Sequence, residues 1–190
     1  MKKHINLLLV FFLLLTALSW AKADKKDPFL IEVKPAKVTP LKSEAFNWLE
    51  ANKVELSEIC HKIWGYAELA MEEYKSSELL ASYLEKMGFT VTRGVAGMPT
   101  AFVAVYGSGQ PVIGILAEYD ALPGLSQDTV PYKKALKEGA PGHGCGHNVF
   151  GPASTAAAVA LKEVMAKHKI PGTIKLFGCP AEETVVGKVF

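Results

Sequence analysis

The hydrophobic and polar positions change rhythm along the chain, and the changes mark out its elements. In residues 43–64, SEAFNWLEANKVELSEICHKIW, the residues Phe46, Leu49, Val54, Ile59 and Ile63 recur at helical spacing behind Ser43, a suitable N-cap. A second helical pattern covers 72–87 and stops at Gly88, a natural C-cap. The rhythm then becomes that of strands. FTVTRGV (89–95) alternates, and TAFVAVYG (100–107) reads as the next strand. PVIGILAEYDA (111–121) is apolar almost throughout, as expected of a strand buried on both faces. A loop rich in Pro, Gly and charge fills 122–146. PASTAAAVALKEVMAKH (152–168) predicts a helix with a face of small alanines, and TIKLFGCPAEE (173–183) one more strand running into an acidic loop. Helices alternating with apolar strands predict an α/β fold with a mostly parallel central sheet flanked by helices. Ligand sites in such sheets gather at the carboxyl ends of strands, where EYDALPG and CPAEE both fall.

The first residues follow a different logic. Lys2, Lys3 and His4 precede the apolar run INLLLVFFLLLTAL (5–18), and Ala21 and Ala23 offer an A-x-A cleavage pattern. This is the layout of a secretory signal peptide over 1–23, and the run is short of the ~20 residues that span a bilayer. The expected location is secreted or periplasmic, with no stable membrane anchor after cleavage. Residues 24–42, charged and with three prolines, read as a leader or linker, and 43–190 as the folded part. The formal charge of +2 falls to −1 once Lys2, Lys3 and Lys22 are removed. A near-neutral chain gives no electrostatic reason to expect nucleic acid. Three cysteines, Cys60, Cys145 and Cys179, make no complete disulfide framework, and no CxxC supports redox chemistry.

The candidate chemistry lies in three stretches. In GHGCGHN, His143, Cys145 and His147 are separated by single glycines. Thiolate and imidazole suit Zn²⁺ and its neighbours, and glycine lets close ligands converge. The following helix would direct its positive end at this loop and lower the pKa of Cys145. Read alone, the stretch fits equally a flexible loop with two solvated histidines and a structural thiol. The pair Glu182–Glu183 fits a solvated turn or a divided task, one carboxylate binding metal and the other taking a proton from water. Glu118 and Asp120 share one face of a strand end, where an acid could orient a ligand histidine or simply end the strand. His61 and His168, on helices, and Cys60 and Cys179 read as surface or packing residues.

Together, EYDALPGLSQ, PGHGCGHN and PAEE resemble, in order and separation, the two-metal amidohydrolase branch of the aminoacylase/carboxypeptidase metallopeptidases. Many members read D-x-D-A-L-P and H-A-C-G-H-D. The Glu-Tyr-Asp start and final Asn look most like the aminobenzoyl-glutamate hydrolase type. The resemblance runs from about residue 44 to 190. It implies a zinc-exopeptidase-like catalytic domain of which 43–190 is the N-terminal part, the lid or dimerisation domain and further histidine ligands being absent. It implies Cys145, His147 and Glu183 as metal ligands, Glu182 as general base and Asp120 as support for the ligand shell, with His143 outside the set. It implies two divalent metal ions in the complete protein, zinc or manganese, and a homodimer. The implied reaction is hydrolysis of a small-molecule amide between an acyl or aminobenzoyl group and an amino acid. The rival expectations are a dipeptidase of the same family, a non-catalytic exported fragment, and a hydrolase using Cys145 as nucleophile. After PAEE the family's glycine-rich run is replaced by TVVGKVF.

Overall fold

The computed structural model describes residues 37–189, so the expected signal peptide and most of the 24–42 linker lie outside the described residues. Helix α1, Pro40–Tyr66, starts earlier than the Ser43 pattern. Thr39 takes the N-cap, its Oγ1 accepting the Lys42 amide at 3.3 Å, and Pro40 sits where a helix needs no N–H. The apolar stripe of α1 is buried only toward its C-terminal end. Ile59 and Ile63 are inside, whereas Phe46 and Val54 are exposed. Helix α2, Tyr74–Lys86, buries Leu80, Ala81 and Leu84 completely, at the three- and four-residue spacing of one helical face. Cutting Leu84 to Ala would cost about 2–5 kcal/mol by loss of burial and creation of a cavity.

Four strands follow: β1 Thr90–Arg93, β2 Phe102–Ser108, β3 Val112–Glu118 and β4 Gly172–Cys179, in the order β1-β2-β4-β3. The sheet is mixed, which corrects the mostly parallel expectation: β1–β2 and β2–β4 are antiparallel, and only β3–β4 is parallel. The reason is the turn between β2 and β3. It is too short for a crossover, so these strands run in opposite senses. β4 then inserts between them, antiparallel to one and parallel to the other. Thr173 fixes that insertion, its amide on the Pro111 carbonyl at 2.9 Å and its Oγ1 on the Gly109 carbonyl at 2.8 Å.

Helix α3, His147–His168, supplies the β3–α3–β4 crossover. It begins five residues before the expected start, because Pro152 lies inside the helix rather than opening it. Gly151 lets it lie close against the sheet, since a Cβ there would stand 2.5 Å from the Glu118 carbonyl oxygen. Ala158, two turns on, continues that close face, and Ala156 and Ala160 are buried on another side of the helix. Ile63, Leu80, Leu84, Phe102, Ile174 and Leu176 form the centre of the core between helices and sheet. The opposite sheet face stays open among the described residues. Val112, Ile113 and Leu116 of β3 are 44–46% exposed, so this strand is an edge strand buried on one side, not on both as expected.

Candidate metal centre

Three backbone devices assemble the site at the carboxyl ends of the two parallel strands. The first is the end of β3. Glu118, Tyr119 and Asp120 are all buried. The Tyr119 hydroxyl donates to the Thr100 carbonyl at 2.6 Å and its ring stacks on Phe102, so Glu118 and Asp120 are presented together on the other side of the chain. The second is the glycine-rich loop. Leu122 and Gly142 exchange two backbone bonds of 3.0 Å that close it. Gly146 then adopts φ 101°, a conformation suited to glycine, and its carbonyl accepts the first amides of α3. His147 therefore opens the helix instead of standing in the loop. The third is the turn after β4. Ala181 is left-handed at φ 56° and ψ 37°, and Glu182 and Glu183 begin the single-turn helix α4, Glu182–Val185.

His147, 5% exposed, is the centre of the arrangement. Its Nδ1 lies 2.8 Å from Asp120 Oδ1. An N–H there leaves Nε2 bare, the nitrogen that faces Glu118 Oε2 at 3.2 Å and Glu182 Oε2 at 3.9 Å. Asp120 also works in the other direction: its Oδ2 accepts the Glu183 amide at 2.8 Å. One buried carboxylate thus orients both the imidazole and the Glu-Glu turn, as a support for a ligand shell would.

Two sets of potential ligand atoms result, in each of which all atoms lie within 4.8 Å of one another. One is Cys145, His147 and Glu183, the trio named from the sequence. The other is Glu118, His147 and Glu182. The meeting of residue 145 with residue 183 is therefore a property of this fold. Glu118, read from sequence as a strand-end acid or a support for a ligand histidine, is a full member of the second set. Its signal was present in its two-residue spacing from Asp120. Lys188 had no such signal. Its Nζ donates to Glu118 Oε1 at 2.6 Å and to Glu182 Oε1 at 2.9 Å, closing the second set with an ammonium. His143 joins neither set: its Nε2 lies 3.0 Å from the Ile63 carbonyl, tying the loop to the end of α1. His61 lies exposed on α1, and His168 pairs with Glu44 at the surface.

Electrostatics follow this geometry. The His147 pKa is raised, chiefly by its bond to Asp120 against the opposing effect of burial, with Glu118 and Glu183 adding to it. The Cys145 thiol is also pushed up, first by contact with the Glu183 carboxylate and then by burial, Glu182 and Glu118. This corrects the expectation of a thiolate favoured by the helix end. Without a cation, the neighbouring carboxylates disfavour a second negative charge on the sulfur. Burial lowers the His143 pKa, holding that ring neutral.

The donors fit a divalent cation. Among the described residues Glu183 Oε1 is buried without a hydrogen-bond partner, an orphaned charge-bearing oxygen beside a thiol and an imidazole. Sulfur, nitrogen and oxygen in this combination suit zinc or a borderline neighbour. A cavity of about 490 Å³ lies elsewhere. Met98, Leu116, Phe177, Pro180 and Val189 line it on the open sheet face, and it meets the site only through Lys188.

The profile of peptidase family M20/M25/M40 matches residues 114–188, the span that holds Glu118, Asp120, Cys145, His147, Glu182, Glu183 and Lys188. A p-aminobenzoyl-glutamate hydrolase of Escherichia coli is 46% identical over 143 residues, covering 75% of this chain and 30% of that protein. The chain belongs to the M20/M25/M40 family. A mouse Xaa-Arg dipeptidase is 30% identical over 166 residues, covering 81% of this chain and 35% of its own length. Among solved structures, the M20 family member YXEP of Bacillus subtilis, described as a dinuclear metal binding peptidase, superposes with a TM-score of 0.56 at 26% identity. That match covers 70% of this chain and 36% of the other. The chain thus spans about a third of the length of the M20 relatives it matches. The chain has the α/β fold of an M20 peptidase domain.

Proposed function

We propose that this chain carries the cluster-bearing part of a metal-dependent amidohydrolase acting on an amide between an acyl or aminobenzoyl group and an amino acid. The observation that carries the reading is the convergence of Cys145, His147 and Glu183 from two distant stretches of the chain, with Glu183 Oε1 making no hydrogen bond among the described residues. Cys145, His147 and Glu183 would hold one divalent ion, zinc or manganese. Glu118 and Glu182 border the position of a second. Such ions supply Lewis-acid polarisation of the scissile carbonyl and make an attacking water more acidic.

The chain's own residues do the rest. Asp120 holds the His147 ring by Nδ1 and the Glu183 amide by its other oxygen. Glu182, partly exposed beside the cluster, is placed to take a proton from water and return it to the leaving amine. The 46% identity to the E. coli enzyme supports an aminobenzoyl-glutamate type of substrate, and the mouse relative supports the dipeptidase alternative. Export through residues 1–23 and assembly as a homodimer complete the proposal for the whole protein. Purified protein loaded with Mn²⁺ or Zn²⁺ should hydrolyse p-aminobenzoyl-glutamate and leave Xaa-Arg dipeptides intact. The reverse preference would move the substrate class to dipeptides, and no hydrolysis of either would remove the amidohydrolase reading.

A further inference from the structure

Glu73 is fully buried, and burial raises the pKa of its carboxyl. It occupies the N-cap position of α2 but makes no capping bond with its side chain. Glu68 does that work instead, accepting the Lys75 amide at 3.0 Å and the Ser76 amide and hydroxyl at 2.9 and 2.8 Å. A carboxyl placed at a helix start, desolvated, and not spent on that helix serves something else. Its Oε1 accepts the Ala181 amide at 2.8 Å, and its Oε2 accepts the Thr100 hydroxyl at 2.9 Å.

Ala181 is the residue immediately before the Glu-Glu pair, and its positive φ is unfavourable for a side chain with a Cβ. Such a conformation persists only where the surroundings over-determine it. Two buried carboxylates provide that determination here: Glu73 holds the amide of residue 181, and Asp120 holds the amide of residue 183. Thr100 is itself fixed, its carbonyl accepting the Ser77 hydroxyl at 2.7 Å and the Tyr119 hydroxyl at 2.6 Å. Tyr119 lies between Glu118 and Asp120. One continuous buried network therefore ties the start of α2 to both acid-bearing strand ends.

We propose that Glu73 is a positioning residue whose buried carboxyl sets the 181–183 turn, so that Glu182 and Glu183 reach the cluster formed with His147 and Cys145. The proposal rests on the reading of Glu183 as a metal ligand and Glu182 as the base. Its test uses the purified chain and Co²⁺, with no need for turnover. Glu73→Leu should weaken Co²⁺ affinity by about 10–100-fold, the usual effect of losing a group behind the ligands. It should also diminish the thiolate-to-cobalt absorption and speed hydrogen exchange at the Ala181 and Glu183 amides relative to those of β4. Glu73→Gln, whose amide oxygen still accepts from Ala181, should stay within about threefold of wild type in affinity. Thr100→Val, close in shape, should fall between the two, and it keeps the question open to measurement should Glu73→Leu fail to fold.

A purely structural role would lower the melting temperature of Glu73→Leu yet leave the affinity, spectrum and relative exchange of its folded molecules unchanged. That result overturns the proposal. Equal loss in Glu73→Gln and Glu73→Leu would overturn it too, since the accepted hydrogen bond would not be what matters. The underlying reading fails separately: Co²⁺ binding that Glu183→Gln does not weaken removes Glu183 from the ligands, whatever Glu73 does to the turn.

Discussion

The two halves of the site share the imidazole of His147 but settle their charge differently. On one side, Cys145 and Glu183 stand against it with a raised thiol pKa and a buried carboxylate oxygen that makes no hydrogen bond among the described residues. On the other, Glu118 and Glu182 stand against it with Lys188 bridging both carboxylates. The sulfur-containing half leaves a buried carboxylate oxygen without a hydrogen bond. The oxygen-only half is already partly neutralised by the chain itself. The contrast teaches that clustering of acids is not by itself a measure of metal affinity. What matters is whether the fold has left the donors unsatisfied at a geometry that an ion can use.

Breaking the chemistry on the oxygen side should have the largest effect. Glu182→Gln should leave the ion expected at Cys145, His147 and Glu183 bound and slow turnover by about 10²–10⁴-fold, measured as kcat at saturating substrate in the hydrolase assay. Retained turnover would assign the proton transfer to another group. Next comes the residue common to both halves. Asp120→Ala releases the His147 ring and the Glu183 amide together, and Co²⁺ titration should show an affinity loss of about 10–100-fold. Lys188→Met sharpens the comparison itself. Removing the ammonium should strengthen cation binding at the Glu118–Glu182 side by about fivefold, the scale of an ion pair worth about 1 kcal/mol, and leave the sulfur-side affinity unchanged. Calorimetry with Mn²⁺, which prefers oxygen donors, resolves the two.

The smallest effect is on pH dependence. The folded-state pKa of Glu73 is raised, with desolvation as the largest cause and the Asp120 charge contributing. A carboxyl of that kind contributes its stability below the ordinary pKa of about 4.5 and loses it as pH rises through the folded value. Glu73→Gln cannot ionise. Its melting temperature should therefore exceed that of the wild type at pH 7, and the difference should shrink as pH falls toward 4.5. A constant difference across that range would mean that folding does not shift the pKa of Glu73.

What was legible in the sequence is what lies close together in it. Cys145 and His147 are two residues apart and Glu182 and Glu183 are adjacent, so their chemistry could be read without knowing the fold. Asp120 was legible as a strand-end acid with a plausible task. Glu118 was half legible, since its spacing placed it beside Asp120 but nothing local said it would face His147. Glu73 was not legible at all: its partner Ala181 is 108 residues away, and in sequence it is one of several glutamates flanking a helix. Lys188 is likewise defined by an acid 70 residues earlier. The direction of the sheet was missed for a related reason. Strand rhythm reports burial, not neighbours, and the insertion of β4 between two strands joined by a tight turn is a tertiary choice. The start of α3 was misplaced because Pro152 reads locally as a first helical residue, whereas the helix runs back to His147 and so carries a site residue on its first turn.

The central claim is that a thiolate, an imidazole and a carboxylate from separate loops hold one cation. The most direct measurement is anomalous diffraction at the cobalt edge from crystals of the chain grown with Co²⁺. The account predicts a peak about 2.0–2.3 Å from Cys145 Sγ, a His147 nitrogen and a Glu183 carboxylate oxygen together. A peak held only by Glu118 and Glu182, with Cys145 Sγ beyond bonding distance, would contradict it.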